Sequence, residues 1–286
     1  MSLVRDTENV LINAPCLSQA EALAQAKWIH KKHAKWFPTV DSAEAWLYAG
    51  MMPKSQRWAF FDNGKCGTST IKAFLFYCEF GVIPTSKIGQ HELVSGLGNM
   101  IHKLPDSRLA RRLLYTPKSF PALSKAIRLA IVRDPIERAI SGFNWLCKSQ
   151  EDGSEMFSDL RLELSGTTNF DWRDDMYTTN GFSKFLDFIE LEKEQFGSDS
   201  INNHFRPQVD NIKPDFTKFH LLGKTENIVD FMKEVAARLE VKITKEVENL
   251  HMNKSGSNSK NTTLLNKETK LKIETIFSDD FEAFGY

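Results

Sequence analysis

Hydrophobic and polar positions follow two periods along this chain, and the switches between them mark its elements. Residues 17–35 (LSQAEALAQAKWIHKKHAK) read as a helix, rich in alanine with its lysines late, and Ser42–Ala49 as a second, shorter one. An apolar run from Trp58 to Phe61 predicts the first strand over 57–62; it stops at Asp62-Asn63-Gly64. Ile71, Phe74, Leu75 and Cys78 then recur at i, i+3, i+4 and i+7, one face of a helix. Leu129 to Val132 suits a buried parallel strand. Behind it, Asp134 is a good N-cap, Pro135 fits the first helical position and Glu137 completes a capping box, with Ile136, Ile140 and Phe143 on the buried face. Phe216 to Leu222 is the third predicted strand, ending in Gly223-Lys224-Thr225-Glu226, and Ile228, Met232, Val235 and Leu239 mark the helix after it. Further helices are predicted around 106–115 (with Arg108, Arg111 and Arg112), over 181–194 and over 266–277, whereas 148–178 and 253–263 read as loops. No internal repeat is visible. Strands alternating with helices predict an α/β fold with a central parallel sheet flanked by helices, in one domain over 1–286: an N-terminal helical segment to 56 and a core from 57.

Composition narrows the picture. The 286 residues are 41% hydrophobic and 26% charged, ordinary for a soluble globular protein. Lysine plus arginine equals aspartate plus glutamate, 37 each, so no global field draws the protein to nucleic acid or membrane, and any anion site must be local. Cys16, Cys66, Cys78 and Cys147 lack C-x-x-C spacing, which argues against a zinc site or disulfide scaffold and suits a reducing compartment. No signal peptide pattern opens the chain, and no apolar run approaches the length of a membrane span. Asn253-Lys254-Ser255 and Asn261-Thr262-Thr263 fit the glycosylation triplet, a pattern that arises often by chance.

The candidate chemistry lies where the first strand meets its helix, in WAFFDNGKCGTSTIKAFLF (58–76). A helix start presents free N–H groups and partial positive charge. Lys65, Gly67, Thr68, Ser69 and Thr70 added to it make a cradle for a phosphate or similar anion. Cys66 lies within the cradle, where a helix N-terminus can lower a thiol's pKa. Here the lysine precedes the Gly-Thr-Ser-Thr turn, so this is not a Walker A sequence, and the tighter loop suits one phosphate-like group. The competing account is a helix capped by Thr68 or Ser69 beside an ordinary surface lysine. The second unit places Arg133 at a strand end and Ser141 two helical turns on, a fork and a hydroxyl able to grip a second phosphate; alternatively Arg133 pairs with Asp134 or Glu137. Together the two strand ends predict a ligand with two separated anionic groups, held beyond the C-terminal edge of the sheet. A cysteine phosphatase using Cys66 is the rival enzyme class, but Lys72 stands where its C-x5-R loop needs arginine. A nucleotide kinase lacks both the Walker A order and a magnesium signature.

These residues carry a family resemblance. NGKCGTSTIKAFL resembles the 5′-phosphosulfate loop, and AIVRDPIERAISGF the 3′-phosphate motif, of sulfotransferases, closest to their carbohydrate (Golgi-type, family 2) branch. HFRPQ (204–208), GKTEN and the terminal DDFEAFGY resemble stretches of the same branch, and the likeness spans roughly 57–286 with a weak middle at 82–127. One departure is Asn63-Gly64, where the family usually has proline just before the lysine. The resemblance implies a P-loop-like three-layer fold, no metal, and transfer of a sulfuryl group from 3′-phosphoadenosine 5′-phosphosulfate (PAPS) to an acceptor hydroxyl or amine, a carbohydrate hydroxyl being the best expectation. On this reading Lys65 stabilises charge on the bridging oxygen, Lys65 to Thr70 including Cys66 hold the 5′-phosphosulfate, Arg133 and Ser141 bind the 3′-phosphate, and Lys254 with Ser255 closes over it. Candidates for the general base are His91, then Glu92, with His102 behind them; His204 is expected rather to brace its loop with Arg206 and Pro207, and Lys224 and Glu226 to cap a helix. Golgi members carry a membrane anchor and this chain shows none, so the expected setting is a bacterial cytoplasm, or else a trimmed luminal domain. A sulfotransferase-like protein that binds nucleotide or glycan without turnover is the non-enzymatic alternative.

Overall fold

Strands β1 (Gly50–Pro53), β2 (Trp58–Phe61), β3 (Ala110–Arg112), β4 (Ile127–Val132) and β5 (Leu221–Lys224) form one sheet in the order β3-β1-β2-β4-β5. The structure is a computed structural model and describes residues 10–84, 100–250 and 262–286. β2, β4 and β5 are parallel, with Phe60 opposite Leu129 and Val132 opposite Lys224. β1 runs antiparallel to both β2 and β3, so the parallel core carries an antiparallel margin.

The layers follow from the two-residue period of a strand. Trp58, Phe60, Leu129 and Ile131 enter one core, where they meet α3 (Thr68–Phe80) through Ile71, Phe74 and Leu75. Ala59, Phe61, Ala130 and Val132 enter the opposite core, against α1 (Gln19–Lys32) and α2 (Val40–Ala49) through Ala26, Ile29 and Trp46. The α/β layering expected from the sequence is therefore present. Beyond the sheet, α4 (Pro135–Glu151), α5 (Ser158–Thr168), α6 (Thr179–Phe196) and α8 (Lys267–Ile276) share a third core around Ile140, Phe143, Phe182, Phe185 and Ile273. α7 (Ile228–Arg238) packs on the α3 side, and α9 (Ser278–Phe284) ends the chain.

Local expectations differ from the structure in identifiable places. No helix forms over 106–115; the segment is a 3-10 turn (Met100–Asp106), then β3, then a second 3-10 turn (Leu113–Tyr115). Its arginines anchor tertiary partners. Buried Arg111 donates to the carbonyls of Pro15 and Ala14, and Arg112 lies 3.7 Å over the Tyr48 ring and donates to the Tyr48 carbonyl. Pairing with β1 then outweighs helix propensity. The third strand begins at Leu221, later than read, because Pro214–Thr217 is a helical turn that seats Phe216 against Phe37 and Trp46. α5 emerges from the segment read as loop, with Leu160 and Leu164, one helical turn apart, turned into the third core. At α4, Asp134 caps the Glu137 N–H at 3.0 Å, but the Glu137 carboxylate turns to Arg133 (3.4 Å) instead of closing the box. Among the described residues no helix is long and apolar enough to cross a membrane.

Candidate active site

The parallel register brings the ends of β2, β4 and β5 to one edge, and the loops there assemble the site. After β2 the chain turns through Asp62 to Gly67. Lys65 takes φ 67° and Gly67 φ 68°, both left-handed, on either side of Cys66. For Lys65 this conformation costs about 1–2 kcal/mol relative to the right-handed one, and such strain persists where surrounding contacts over-determine it. Gly67 is the N-cap of α3; with no side chain it cannot close the helix start, so capping by Thr68 or Ser69 does not occur. Gly64 is needed for close approach: a Cβ there would stand 3.0 Å from the Asn203 carbonyl oxygen and the His204 Cα.

Polar contacts hold this turn from below. Asn63 is buried and donates to the Ile131 carbonyl (3.2 Å) and to Gln208 Oε1 (3.1 Å), while its own oxygen accepts from Asn211 (3.2 Å). Hydrogen bonds thus fix the loop at Asn63-Gly64. Buried Arg138 of α4 donates to the carbonyls of Gly64 (2.9 Å), Arg206 (2.8 Å) and Asn203 (3.2 Å). Lys72, read as the residue that breaks a phosphatase signature, is buried in an ion pair with Asp62, which holds the Asp62 carboxyl below its usual range.

The Lys65 ammonium lies 4.5 Å over the Trp145 ring of α4. Burial, then the nearby Arg133 and Arg138 guanidiniums, push its pKa down to about 7. Cations gathered at this cost suit an anionic partner. Arg133 crosses between the two strand ends: one guanidinium nitrogen is 3.4 Å from the Lys65 carbonyl and another 3.4 Å from Glu137. Arg133 thus makes the Glu137 pairing given above as the alternative and also reaches the Lys65 carbonyl. Ser141 is half-buried on α4.

Thr68, Ser69 and Thr70 open α3 and are buried. Ser69 Oγ meets His102 Nε2 at 2.9 Å, and burial with the Lys72 charge pushes the His102 pKa down to about 4. His204 lies against Gly64 and edge-on to Phe157; its Nδ1 and backbone N–H both donate to Asn202 Oδ1, at 2.8 and 3.1 Å. Burial lowers its pKa to about 3, so the ring is neutral and braced at neutral pH. Arg206 donates to the Ile201 and Asp199 carbonyls, fixing the same segment. Glu226 and Lys224 do not cap α7. Glu226 accepts from the Asp134 N–H (3.0 Å) and the Tyr286 hydroxyl (3.0 Å), while Lys224 donates to the Gly285 carbonyl and sits over the Tyr286 ring. His91, Glu92, Lys254 and Ser255 lie outside the described residues.

Cys66 departs from expectation. It is fully buried, donates to Gln208 Oε1 (3.2 Å), and burial pushes its thiol up to about 12 instead of lowering it. In native protein at mildly alkaline pH, iodoacetamide should modify Cys66 at least ~10²-fold more slowly than exposed Cys16. Peptide mapping after alkylation checks this; comparable rates would place the thiol at the surface. Asn63, Arg138, Trp145, Gln208 and Asp280 were not read as site residues. All but Trp145 lie within the quoted motifs, but their partners lie far apart in sequence.

An uncapped helix start, a lysine and an arginine meet at adjoining strand ends of this α/β sheet, an arrangement whose chemistry suits an anionic group. A family model for the sulfotransferase family matches residues 65–286, and the chain belongs to that family. Sulfuryl transfer in general follows from this membership. No curated protein and no solved structure matches the chain.

Proposed function

We propose that this protein transfers the sulfuryl group of PAPS to a hydroxyl of a carbohydrate acceptor, as a single sulfotransferase domain whose residues 1–56 form an N-terminal helical segment. The observation that carries the reading is the Arg133 guanidinium reaching the carbonyl of Lys65, which joins two anion-gripping strand ends into one site. The 3′-phosphate would meet Arg133 and Ser141, the 5′ end the N–H groups and hydroxyls of Gly67 to Thr70, and that spacing suits a nucleotide phosphorylated at both positions.

PAPS supplies the sulfuryl group and a phosphate leaving group. The acceptor oxygen bonds to sulfur as the bond from sulfur to the bridging phosphate oxygen breaks, and the electron pair stays on that oxygen. Lys65 faces this developing charge, and positioning with charge stabilisation dominates, by analogy with phosphoryl transfer. The acceptor proton leaves to a general base, for which His91 is preferred and Glu92 is second. The carbohydrate acceptor rests on the likeness of the motifs to that branch. A phosphatase reaction through Cys66 is disfavoured by its buried, protonated thiol.

Calorimetric titration provides the test. Adenosine 3′,5′-bisphosphate should bind at least about tenfold more tightly than AMP or ATP, one extra charge-assisted contact being sufficient for that. Equal binding of all three would sink the PAPS assignment.

A further inference from the structure

Gln208 is completely buried between the two anion-binding loops. Its side-chain oxygen accepts from Asn63 Nδ2 (3.1 Å), the Cys66 thiol (3.2 Å) and the Arg133 backbone N–H (2.9 Å). Its Nε2 donates back to the Arg133 carbonyl at 2.8 Å. One amide therefore grips the strand end of β4 from both sides and the turn after β2 at the same time. Its own position is set from the chain's last helix. The Gln208 N–H donates to Asp280 Oδ2 (2.8 Å) and the Val209 N–H to Asp280 Oδ1 (2.9 Å), and Asp280 is itself fully buried.

We infer that Gln208, held by Asp280, is a positioning residue that fixes the separation of the Lys65 loop from Arg133, so that a ligand with two phosphates engages both at once. The inference rests on the sulfotransferase reading and deepens it. Affinity for a doubly anchored ligand depends on how closely the spacing of its two sites is held, because the second contact then forms without further ordering. An apolar residue could fill the same space but not tie the loops. The amide offers an acceptor for these donors and, on a separate atom, a donor for the Arg133 carbonyl. Both ends of this side chain are engaged in the buried network, and engaged buried networks specify a geometry.

The test is a titration of wild type and Gln208→Ala with adenosine 3′,5′-bisphosphate, 5′-AMP and 3′-AMP, together with amide hydrogen exchange. Loss of the shared acceptor should weaken the bisphosphate about tenfold or more and each monophosphate less than about threefold. Steady-state rates should show the donor KM raised about tenfold with kcat changed less than about threefold. Exchange should quicken together over 62–67 and at Arg133 and Asp134, with α1 unchanged. Should Gln208→Ala fail to fold, Asp280→Asn, which removes the acceptor for one of the two N–H groups, is expected to show the same selectivity. Equal losses for all three nucleotides, or an unchanged bisphosphate affinity, overturn the inference. A wild type that does not prefer the bisphosphate overturns the PAPS reading instead. Exchange then decides the clamp alone: quickening in both segments upholds it, and quickening in one or neither overturns it.

Discussion

Lys65→Ala is expected to lower turnover by about 10²–10³-fold, the usual cost of losing a group aimed at developing transition-state charge. Nucleotide affinity should fall by less, since Arg133 and the α3 start remain in place. Initial rates at saturating donor, set beside binding titrations, separate the two effects; unchanged turnover would remove Lys65 from the chemistry. Its environment adds a pH signature. Burial and two guanidiniums hold the ammonium at about 7, so above that pH the empty site keeps Lys65 largely neutral. A dianion binds the protonated form and must then bring a proton with it. Affinity for the bisphosphate should therefore decline between pH 7 and 9, by up to about tenfold per unit, and Lys65→Ala should flatten that slope. A slope identical in the variant would assign it to another group. For stability of the empty protein the sign is opposite. Unfolded Lys65 holds its proton up to its ordinary 10.5, so between pH 7 and 10.5 unfolding takes up a proton and this residue's contribution improves as pH rises.

Arg138→Met should destabilise the fold by about 3–5 kcal/mol, judged from the cost of leaving buried acceptors without donors. The three carbonyls concerned belong to Gly64, Arg206 and Asn203, so the loss falls where the Lys65 loop meets the HFRPQ segment. An opposing effect works in the variant's favour: removing a buried cation relieves Lys65, whose pKa Arg138 helps to depress. The hydrogen bonds are direct and the repulsion is partly screened, so the loss dominates. Urea unfolding measures it, and a change below about 1 kcal/mol would mean that the carbonyls find new partners or water. The pH midpoint for bisphosphate binding should move upward in the same variant.

The elements that sequence could place are those in which one local signal suffices. β2, β4 and the helices behind them follow from short apolar runs, an N-cap aspartate and i, i+3, i+4 spacing, and the phosphate-type loops follow from the same stretches. β3 was unreadable because Ala110-Arg111-Arg112 has no strand pattern of its own; it exists through pairing with β1 and through arginines anchored on Ala14, Pro15 and Tyr48. Cys66 shows the same limit in the site. Position at a helix start argued for a lowered thiol pKa, but complete burial, which depends on chains distant in sequence, reverses the sign.

The α/β alternation, the order of lysine before the Gly-Thr-Ser-Thr turn, and an arginine at a second strand end are legible in the chain alone. Those are statements about residues close in the chain, where capping and periodicity act. Tertiary structure alone decided how the two strand ends are joined: Arg133 onto the Lys65 carbonyl, Arg138 beneath Gly64, and Gln208 between both loops under Asp280. Their partners are separated by 68 to 145 positions. Only closure of the parallel sheet brings them within hydrogen-bonding distance, and hydrogen bonds are too short-ranged to be read before that closure.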